Sequence, residues 1–153
     1  MISNRQRAVR VQIHSLNQFF ARTMKEMRLP EDAACVCLVT NAQIAKWNAA
    51  YRSKNKPTDV LSFPTTDDPS PKANGRRRPR RRSSTPSIAY LGDIAIAPAI
   101  ARRNARLYGR TFNQEMRILI LHGILHLIGY DHETDTGQME RREQRLRRTL
   151  GIA

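Results

Sequence analysis

Three histidines lie within eleven residues of one another, in the run H-G-I-L-H-L-I-G-Y-D-H from His122 to His132. His122 and His126 are four residues apart, so on a helix they project from one face and can reach one ion. Gly129 can adopt the left-handed conformation that ends a helix, and the reversed chain then brings His132 toward the same ion. Three imidazoles with one coordination position left open are typical of catalytic zinc.

The alternative is that these are ordinary core histidines. Two neutral imidazoles on a buried helix face would need hydrogen-bond partners that the neighbouring Leu and Ile side chains cannot supply. The pattern therefore favours a metal, and we expect one Zn²⁺ per chain, although three imidazoles also accept nickel and copper. The fourth histidine, His14, stands alone near a predicted strand end and indicates no site.

The histidine spacing also equals that of the metzincin proteases, H-E-x-x-H-x-x-G-x-x-H. One position differs, because Gly123 stands where those proteases carry their glutamate general base. Cleavage of a peptide bond requires proton delivery to the leaving amine, so the missing glutamate argues against a protease.

Charge is the most informative feature of the composition. The 153 residues contain 27 Lys and Arg against 13 Asp and Glu, giving a net charge of +14. Such a charge predicts a polyanionic partner, either nucleic acid or an anionic membrane, although a basic protein without such a partner is the alternative. No run approaches the roughly 18 apolar residues of a membrane helix, and Met1–Arg10 does not resemble a secretory signal. The two cysteines, Cys35 and Cys37, share a strand face, and we expect a reduced, cytoplasmic setting.

The length predicts a single domain over residues 1–153, interrupted by an insertion at about 65–87. This insertion is rich in Pro, Ser and Arg, so it cannot bury apolar surface and is predicted to be disordered. It contains seven positive charges: Lys72, Arg76, Arg77, Arg78, Arg80, Arg81 and Arg82. It is either an arm that binds phosphates or a solvated loop insertion, and its composition does not separate the two.

Strands and helices alternate along the rest of the chain. Two-residue periodicity predicts four strands, at Arg7–Ile13, Ala34–Thr40, Thr58–Phe63 and Ile88–Ile96. Helical periodicity and end signals predict about five helices: one ending near Pro30, one capped by Asn41, one from Pro98 to Gly109, one after the Thr111–Gln114 capping box, and one over roughly Thr136–Leu150. The helix after the capping box is apolar all round, so it is predicted to be buried and to carry the metal site. The pattern favours a single sheet covered by helices.

Three separated motifs resemble the YbeY family of bacterial single-strand-specific endoribonucleases that mature rRNA. The family signature H-G-x-L-H-x-x-G-Y-D-H is matched in full over His122–His132. N-x-x-Y-R-x-K is matched over Asn48–Lys54, followed by P-T-D-V-L-S-F-P over Pro57–Pro64, and L-G-D-I stands at Leu91–Ile94. The resemblance covers about Val9–Leu150, and the arginine-rich insertion departs from the usually shorter family loop.

The resemblance implies zinc on His122, His126 and His132, with Arg52 as the functional arginine. It implies an α+β fold with a mostly parallel four-stranded sheet containing one antiparallel strand. It further implies a cytoplasmic enzyme whose partner is the ribosome or its small subunit. The implied roles are 3′-end maturation of 16S rRNA and ribosome biogenesis and quality control.

Several charged residues can be assigned roles in binding the RNA or in orienting a metal ligand. A fixed guanidinium such as that of Arg52 can hold two oxygens of a phosphodiester in the transition state. Lys54 and Lys56 can hold backbone phosphates together with the arginines of the insertion. Asp93 or Asp131 can orient a ligand imidazole, or Asp131 can cap the last helix. The nucleophile is either water activated by the metal or the 2′-hydroxyl of the RNA.

Three functions remain open from the sequence. The first is a zinc-dependent endoribonuclease. The second is a non-catalytic RNA-binding protein of ribosome assembly with structural zinc. The third, a metallopeptidase, is disfavoured by Gly123 and by the charge of +14.

Overall fold

The computed structural model describes residues 1–52, 58–65, 90–131 and 134–152 of the chain. Within these ranges the chain forms four strands: β1 (Ile2–Asn4), β2 (Ala34–Leu38), β3 (Val60–Pro64) and β4 (Gly92–Ile96). The same ranges contain five α-helices: α1 (Ile13–Glu26), α2 (Asn41–Arg52), α3 (Pro98–Leu107), α4 (Phe112–Leu127) and α5 (Gln138–Leu150). The predicted α+β fold, a single four-stranded sheet packed with five helices, is confirmed.

The four strands form one mixed sheet in the order β1-β2-β4-β3. Strands β1, β2 and β4 are parallel, as expected where helices connect them, and β3 runs antiparallel to β4. The single antiparallel strand therefore lies at an edge of the sheet. As an edge strand, β3 can be approached from both faces of the sheet.

Helices cover both faces of the sheet, but unequally. The larger core includes buried side chains of α1, α4 and α5 against one face. A smaller core, which includes Ile44 of α2 and Ile100 of α3, lies against the other face. Helix α4 is buried along most of its length, as predicted from its apolar sequence.

The strand predicted over Arg7–Ile13 does not form, and this prediction is wrong. Strand β1 lies further toward the N-terminus, and a loop follows it up to α1. The Gln6 side chain fixes this loop, because its Nε2 donates to the Val9 carbonyl and its Oε1 accepts from the Val9 N–H, each at 2.9 Å. These bonds satisfy the backbone groups that a ladder would have used. The alternation of apolar residues there reflects the burial of single loop residues.

Most helix ends agree with their sequence signals. Thr111 accepts from the Gln114 N–H and Gln114 accepts from the Thr111 N–H, so the predicted capping box of α4 is confirmed. Gly109 has φ +66° directly after α3, as expected for the residue that ends this helix. Helix α2 is capped by the Thr40 hydroxyl, which accepts from the Gln43 N–H at 3.1 Å, and not by the predicted Asn41.

No helix in the described part of the chain has the length and apolar character needed to cross a bilayer.

Helix α4 packs tightly against the sheet at Gly123. A Cβ atom at this position would lie 2.7 Å from Ile94 Cγ2, which is too close for any ordinary contact. Ile94 is fully buried in the centre of the sheet, so it has no free space to move into. Glycine at position 123 therefore sets the depth at which α4 lies on β4.

We expect Gly123→Ala to lower the free energy of unfolding by about 1 kcal/mol. Overpacking a core by a methyl group costs about 1–3 kcal/mol, which outweighs the gain of up to about 1 kcal/mol that alanine gives to a helix interior. Urea denaturation measures the change. The double variant Gly123→Ala/Ile94→Ala should lose less stability than the sum of the single changes, because the clash is gone. A Gly123→Ala protein more stable than the parent would contradict this packing.

Candidate metal centre

A pocket of about 670 Å³ lies between helix α4 and the edge strand β3. Both strand residues and helix residues line it, including Ser62 of β3 and His122 and His126 of α4. The Ser62 hydroxyl donates to the Gly123 carbonyl at 3.1 Å, which ties the strand to the helix between the two histidines. The walls of the pocket are therefore held together at the position where the imidazoles project.

The two imidazoles of α4 face each other. His122 Nε2 and His126 Nε2 are 3.0 Å apart, and the ring planes cross at 77°. Two imidazole nitrogens that share a tetrahedral zinc at about 2.0–2.1 Å lie about 3.3 Å from one another. A separation close to that value means that the pair can accept an ion after a movement of a few tenths of an ångström.

The end of α4 reverses the chain over this pocket. Gly129 has φ +105°, its N–H donates to the His126 carbonyl at 3.1 Å, and the Tyr130 N–H donates to the Leu125 carbonyl at 3.1 Å. These two bonds form the Schellman motif that the glycine predicted. Asp131 consequently lines the pocket. His132 is the next residue in the sequence, and it lies outside the described residues.

The described residues supply two of the three ligands expected for zinc. Two neutral imidazole nitrogens converge, and nitrogen ligands are those that zinc prefers. Among the residues that the structure describes, no third His, Cys, Asp or Glu completes a ligand set with them. The third ligand predicted from the sequence, His132, is not among those residues, so the full set remains a prediction.

A carboxylate of α5 lies next to the Nδ1 atom of His122, the ring nitrogen that does not face His126. Glu143 Oε1 lies 3.6 Å from His122 Nδ1, on the opposite side of the ring from Nε2, and also 3.6 Å from Arg147 Nη2. The Glu143 side chain is only 12% exposed. A carboxylate next to Nδ1 favours the tautomer with its proton on Nδ1, which leaves the lone pair on Nε2, the nitrogen that faces His126.

The electrostatics of Glu143 agree with a charged carboxylate. Burial raises the pKa of the Glu143 carboxyl, but the contact with His122 and the positive charge of Arg147 lower it by more. The pKa therefore lies below its usual value, and Glu143 is ionised at neutral pH. An ionised carboxylate 3.6 Å from Nδ1 favours a proton on that nitrogen through its charge.

Glu143 was not identified from the sequence, although a signal for it exists. Helix α5 buries Met139, Leu146 and Leu150, and Glu143 lies in the same stripe at helical spacing. An acidic residue in the apolar stripe of a helix needs a buried partner. The partner is 21 positions away in sequence, so only the fold reveals it.

The structure separates the two aspartates proposed to orient a ligand. Asp131 lines the pocket, and Asp135, not Asp131, caps α5, because its carboxylate accepts from the Gly137 and Met139 N–H groups at 2.9 Å. Asp93 lies away from the histidine pair, on the other face of the sheet, where it accepts from the Tyr90 hydroxyl.

The remaining predicted site residues fall as follows. Tyr130 packs against the core and also lines the pocket. His14 is exposed on α1, away from the pocket. Arg52 is the last residue of α2, and its side chain lies outside the described part of the structure, as do Lys54, Lys56, Arg76, Arg77, Arg78, Arg80, Arg81 and Arg82.

Comparison with known proteins yields one family. The family described as Endoribonuclease YbeY matches residues 1–151. An endoribonuclease YbeY from Solibacter usitatus is 38% identical over 139 residues, covering 90% of this chain and 79% of its own length. An endoribonuclease YbeY from Koribacter versatilis is 35% identical over 152 residues, covering 99% of this chain and 86% of its own length.

A solved structure has the same fold. The solution structure of a Thermotoga maritima protein superposes with a TM-score of 0.57 at 25% sequence identity. The match covers 98% of this chain and 89% of that protein.

We expect Glu143→Gln to weaken zinc binding by about 10- to 100-fold, because the carboxylate no longer holds the Nδ1–H tautomer of His122. Competition with a zinc chelator measures the affinity. Glu140→Gln is the matched control, since Glu140 is exposed on the same helix. Equal zinc affinity in Glu143→Gln and Glu140→Gln would show that Glu143 does not position the ligand.

Proposed function

The chain belongs to the Endoribonuclease YbeY family, and from this membership we propose that it cuts single-stranded RNA with one zinc ion held by His122, His126 and His132. The observation that carries the proposal is the pair of Nε2 atoms 3.0 Å apart in a pocket at the edge of the sheet. The second support is the net charge of +14, which suits a polyanionic substrate.

The proposal assigns a distinct task to each of these groups. Bound zinc would supply positive charge to the phosphodiester and activate the nucleophile. Glu143 keeps His122 in the tautomer that directs its Nε2 lone pair into the pocket. Ser62 holds the edge strand against α4, so that the pocket keeps its width. Arg52 follows Tyr51, which lines the pocket, and we assign its guanidinium to the phosphoryl oxygens.

We further propose rRNA as the substrate and the ribosome or its small subunit as the partner, in the cytoplasm. The family name supports cleavage within RNA, and the positive charge supports binding to the densely charged ribosomal surface. Maturation of the 3′ end of 16S rRNA and quality control of ribosomes are the tasks that the family resemblance suggests.

A peptidase activity is opposed by the packing at Gly123. The position that carries glutamate in metzincins lies 2.7 Å from Ile94 Cγ2 once a Cβ is added, so a larger side chain there requires the buried Ile94 side chain to shift. The helix therefore lacks both the general base and the space for it.

Two single substitutions separate metal binding from cleavage. We expect His126→Ala to lose both the zinc and the cleavage of single-stranded RNA, because one ligand is removed. We expect Arg52→Glu to keep the zinc and to lose at least about 100-fold in cleavage rate, because a charge clamp on the phosphoryl group is replaced by repulsion. Metal analysis and a cleavage assay on both purified variants measure the two effects.

The control for Arg52→Glu is Lys46→Glu, which makes the same charge change at an exposed position of the same helix. It should cut RNA at close to the parental rate. Arg52→Glu cleaving at the parental rate would remove the assigned role. A parental protein that binds zinc and RNA but cuts nothing, alone and in the presence of small subunits, would support the non-catalytic function instead.

The arginine-rich insertion makes a separate prediction. We expect replacement of Lys72–Arg82 by an uncharged Gly-Ser segment of equal length to weaken RNA binding and to flatten its dependence on salt, because fewer counterions are released. Fluorescence anisotropy over a series of salt concentrations measures the slope. An unchanged slope would show that the insertion does not contact phosphate.

A further inference from the structure

A second cavity lies on the face of the sheet opposite α4, and the proposed cleavage does not use it. Its volume is about 850 Å³, and side chains from all four strands and from α2 line it. This volume is within the range of pockets that bind small organic groups. We call it the sheet-face cavity.

Small side chains form the floor of the sheet-face cavity. Ser3, Cys37 and Ala95 are in register on β1, β2 and β4, so three short side chains stand side by side. Ala95 is buried in the smaller core, so Ser3 and Cys37 form the open part of this row, about one strand spacing of 4.8 Å wide. These short side chains leave space beside the aromatic wall for the edge of a planar ring.

Aromatic rings form one wall. Trp47 and Tyr51 of α2 contact Phe63 of β3 edge to face, with centroid separations of 5.9 and 4.9 Å. Tyr51 is 57% exposed although it is held by Phe63. A fixed but accessible ring is what stacking with a nucleobase requires, and such stacking tolerates every base.

Polar groups of both signs form the rest of the lining. The Tyr90 hydroxyl donates to Asp93 Oδ1, and burial together with this bond raises the pKa of Tyr90, so its proton stays in place. Arg5 also lines the cavity, close enough to Cys37 for its charge to oppose the rise that burial gives to the pKa of that thiol. A carboxylate can accept from base amino groups, and a guanidinium can pair with a phosphate.

Among the described residues, the two cavities share one lining residue. Tyr51 lines both the sheet-face cavity and the pocket of His122 and His126. It lies against the edge strand β3, which has no further strand beyond it in the described part of the sheet. A single strand of RNA that crossed this edge would have nucleotides on both of its sides.

We propose that the sheet-face cavity binds one unpaired nucleobase of the RNA strand that is cut at the His122–His126 pocket, with Tyr51 as its stacking partner. This inference rests on the proposed function. The occupant is a nucleobase because the exposed Tyr51 ring offers a stacking face, Asp32 and Asp93 can accept from base amino groups, and Arg5 can pair with a phosphate. The net charge of +14 favours a polyanion as the molecule that carries the base.

The test uses the full chain with His126→Ala, so that binding is measured without cleavage. The probe is a single-stranded RNA of about ten nucleotides with a fluorescent end label, and its affinity is read by anisotropy. We expect Tyr51→Leu to weaken binding by roughly tenfold and Tyr51→Phe to leave it nearly unchanged, because only the aromatic face stacks. The matched control is Tyr108→Leu, which removes a tyrosine that is 62% exposed and lies outside both cavities.

A second measurement identifies the base. Abasic sites are placed at each position of the RNA in turn. At one position the loss of the base and Tyr51→Leu should not add, because both remove the same contact. Ser3→Trp, which fills the floor from β1, should reproduce the loss while Tyr51 remains. Additive effects at every position, or parental affinity in Tyr51→Leu, would overturn the proposal.

The outcomes also separate this inference from the proposed function. If the parental protein cuts RNA and the Tyr51 effects are absent, only the nucleobase site is wrong. If the Tyr51 coupling is present and the parental protein cuts nothing, the base site is retained and the catalytic proposal fails.

Discussion

The depth at which helix α4 lies on strand β4 determines the geometry of the site. Gly123 allows the helix backbone to approach Ile94, and the Ser62 hydroxyl then reaches the Gly123 carbonyl at 3.1 Å. From Ile118 to Leu127 the only polar side chains of α4 are His122 and His126, which flank this contact. Because the surrounding side chains are apolar and close-packed, the helix cannot rotate or slide without creating cavities. This packing therefore fixes the distance between the two imidazoles.

The second constraint is electrostatic and comes from α5. An imidazole with its Nε2 in a pocket needs its other nitrogen satisfied, and Glu143 supplies a negative charge at 3.6 Å from His122 Nδ1. The carboxylate itself is largely buried, so it in turn depends on Arg147 at 3.6 Å. Burying these charged groups costs free energy that their mutual attraction offsets only in part, so a positioning role explains their presence better than a gain in stability does. We read the chain Arg147–Glu143–His122 as the support of one ligand and not as a source of stability.

Local signals account for what the sequence predicted, and long-range contacts account for what it missed. The capping box at Thr111, the Schellman turn at Gly129 and the buried character of α4 depend on residues within one or two helical turns, so they could be read directly. The strand expected over Arg7–Ile13 failed because the Gln6 side chain competes for the backbone of Val9, which periodicity does not detect. The role of Glu143 depends on which helix packs beside His122. The position of Asp93 depends on which face of β4 it occupies. Neither is determined by neighbouring residues in the sequence. The mixed sheet itself came from family resemblance, since strand order cannot be derived from periodicity.

The edge position of β3 would give the proposed nucleobase site a physical reason to prefer single strands. A nucleotide whose base enters the sheet-face cavity cannot remain paired, since Tyr51 and the floor would occupy the space of its partner base. Extracting a base from a duplex costs a few kcal/mol, whereas an unpaired base avoids the unpairing part of that cost. Stacking on Tyr51 would then have two functions. It would hold the strand, and it would determine which phosphodiester reaches the histidine pair. Preference for single strands would follow from the shape of the binding site and would require no recognition of sequence.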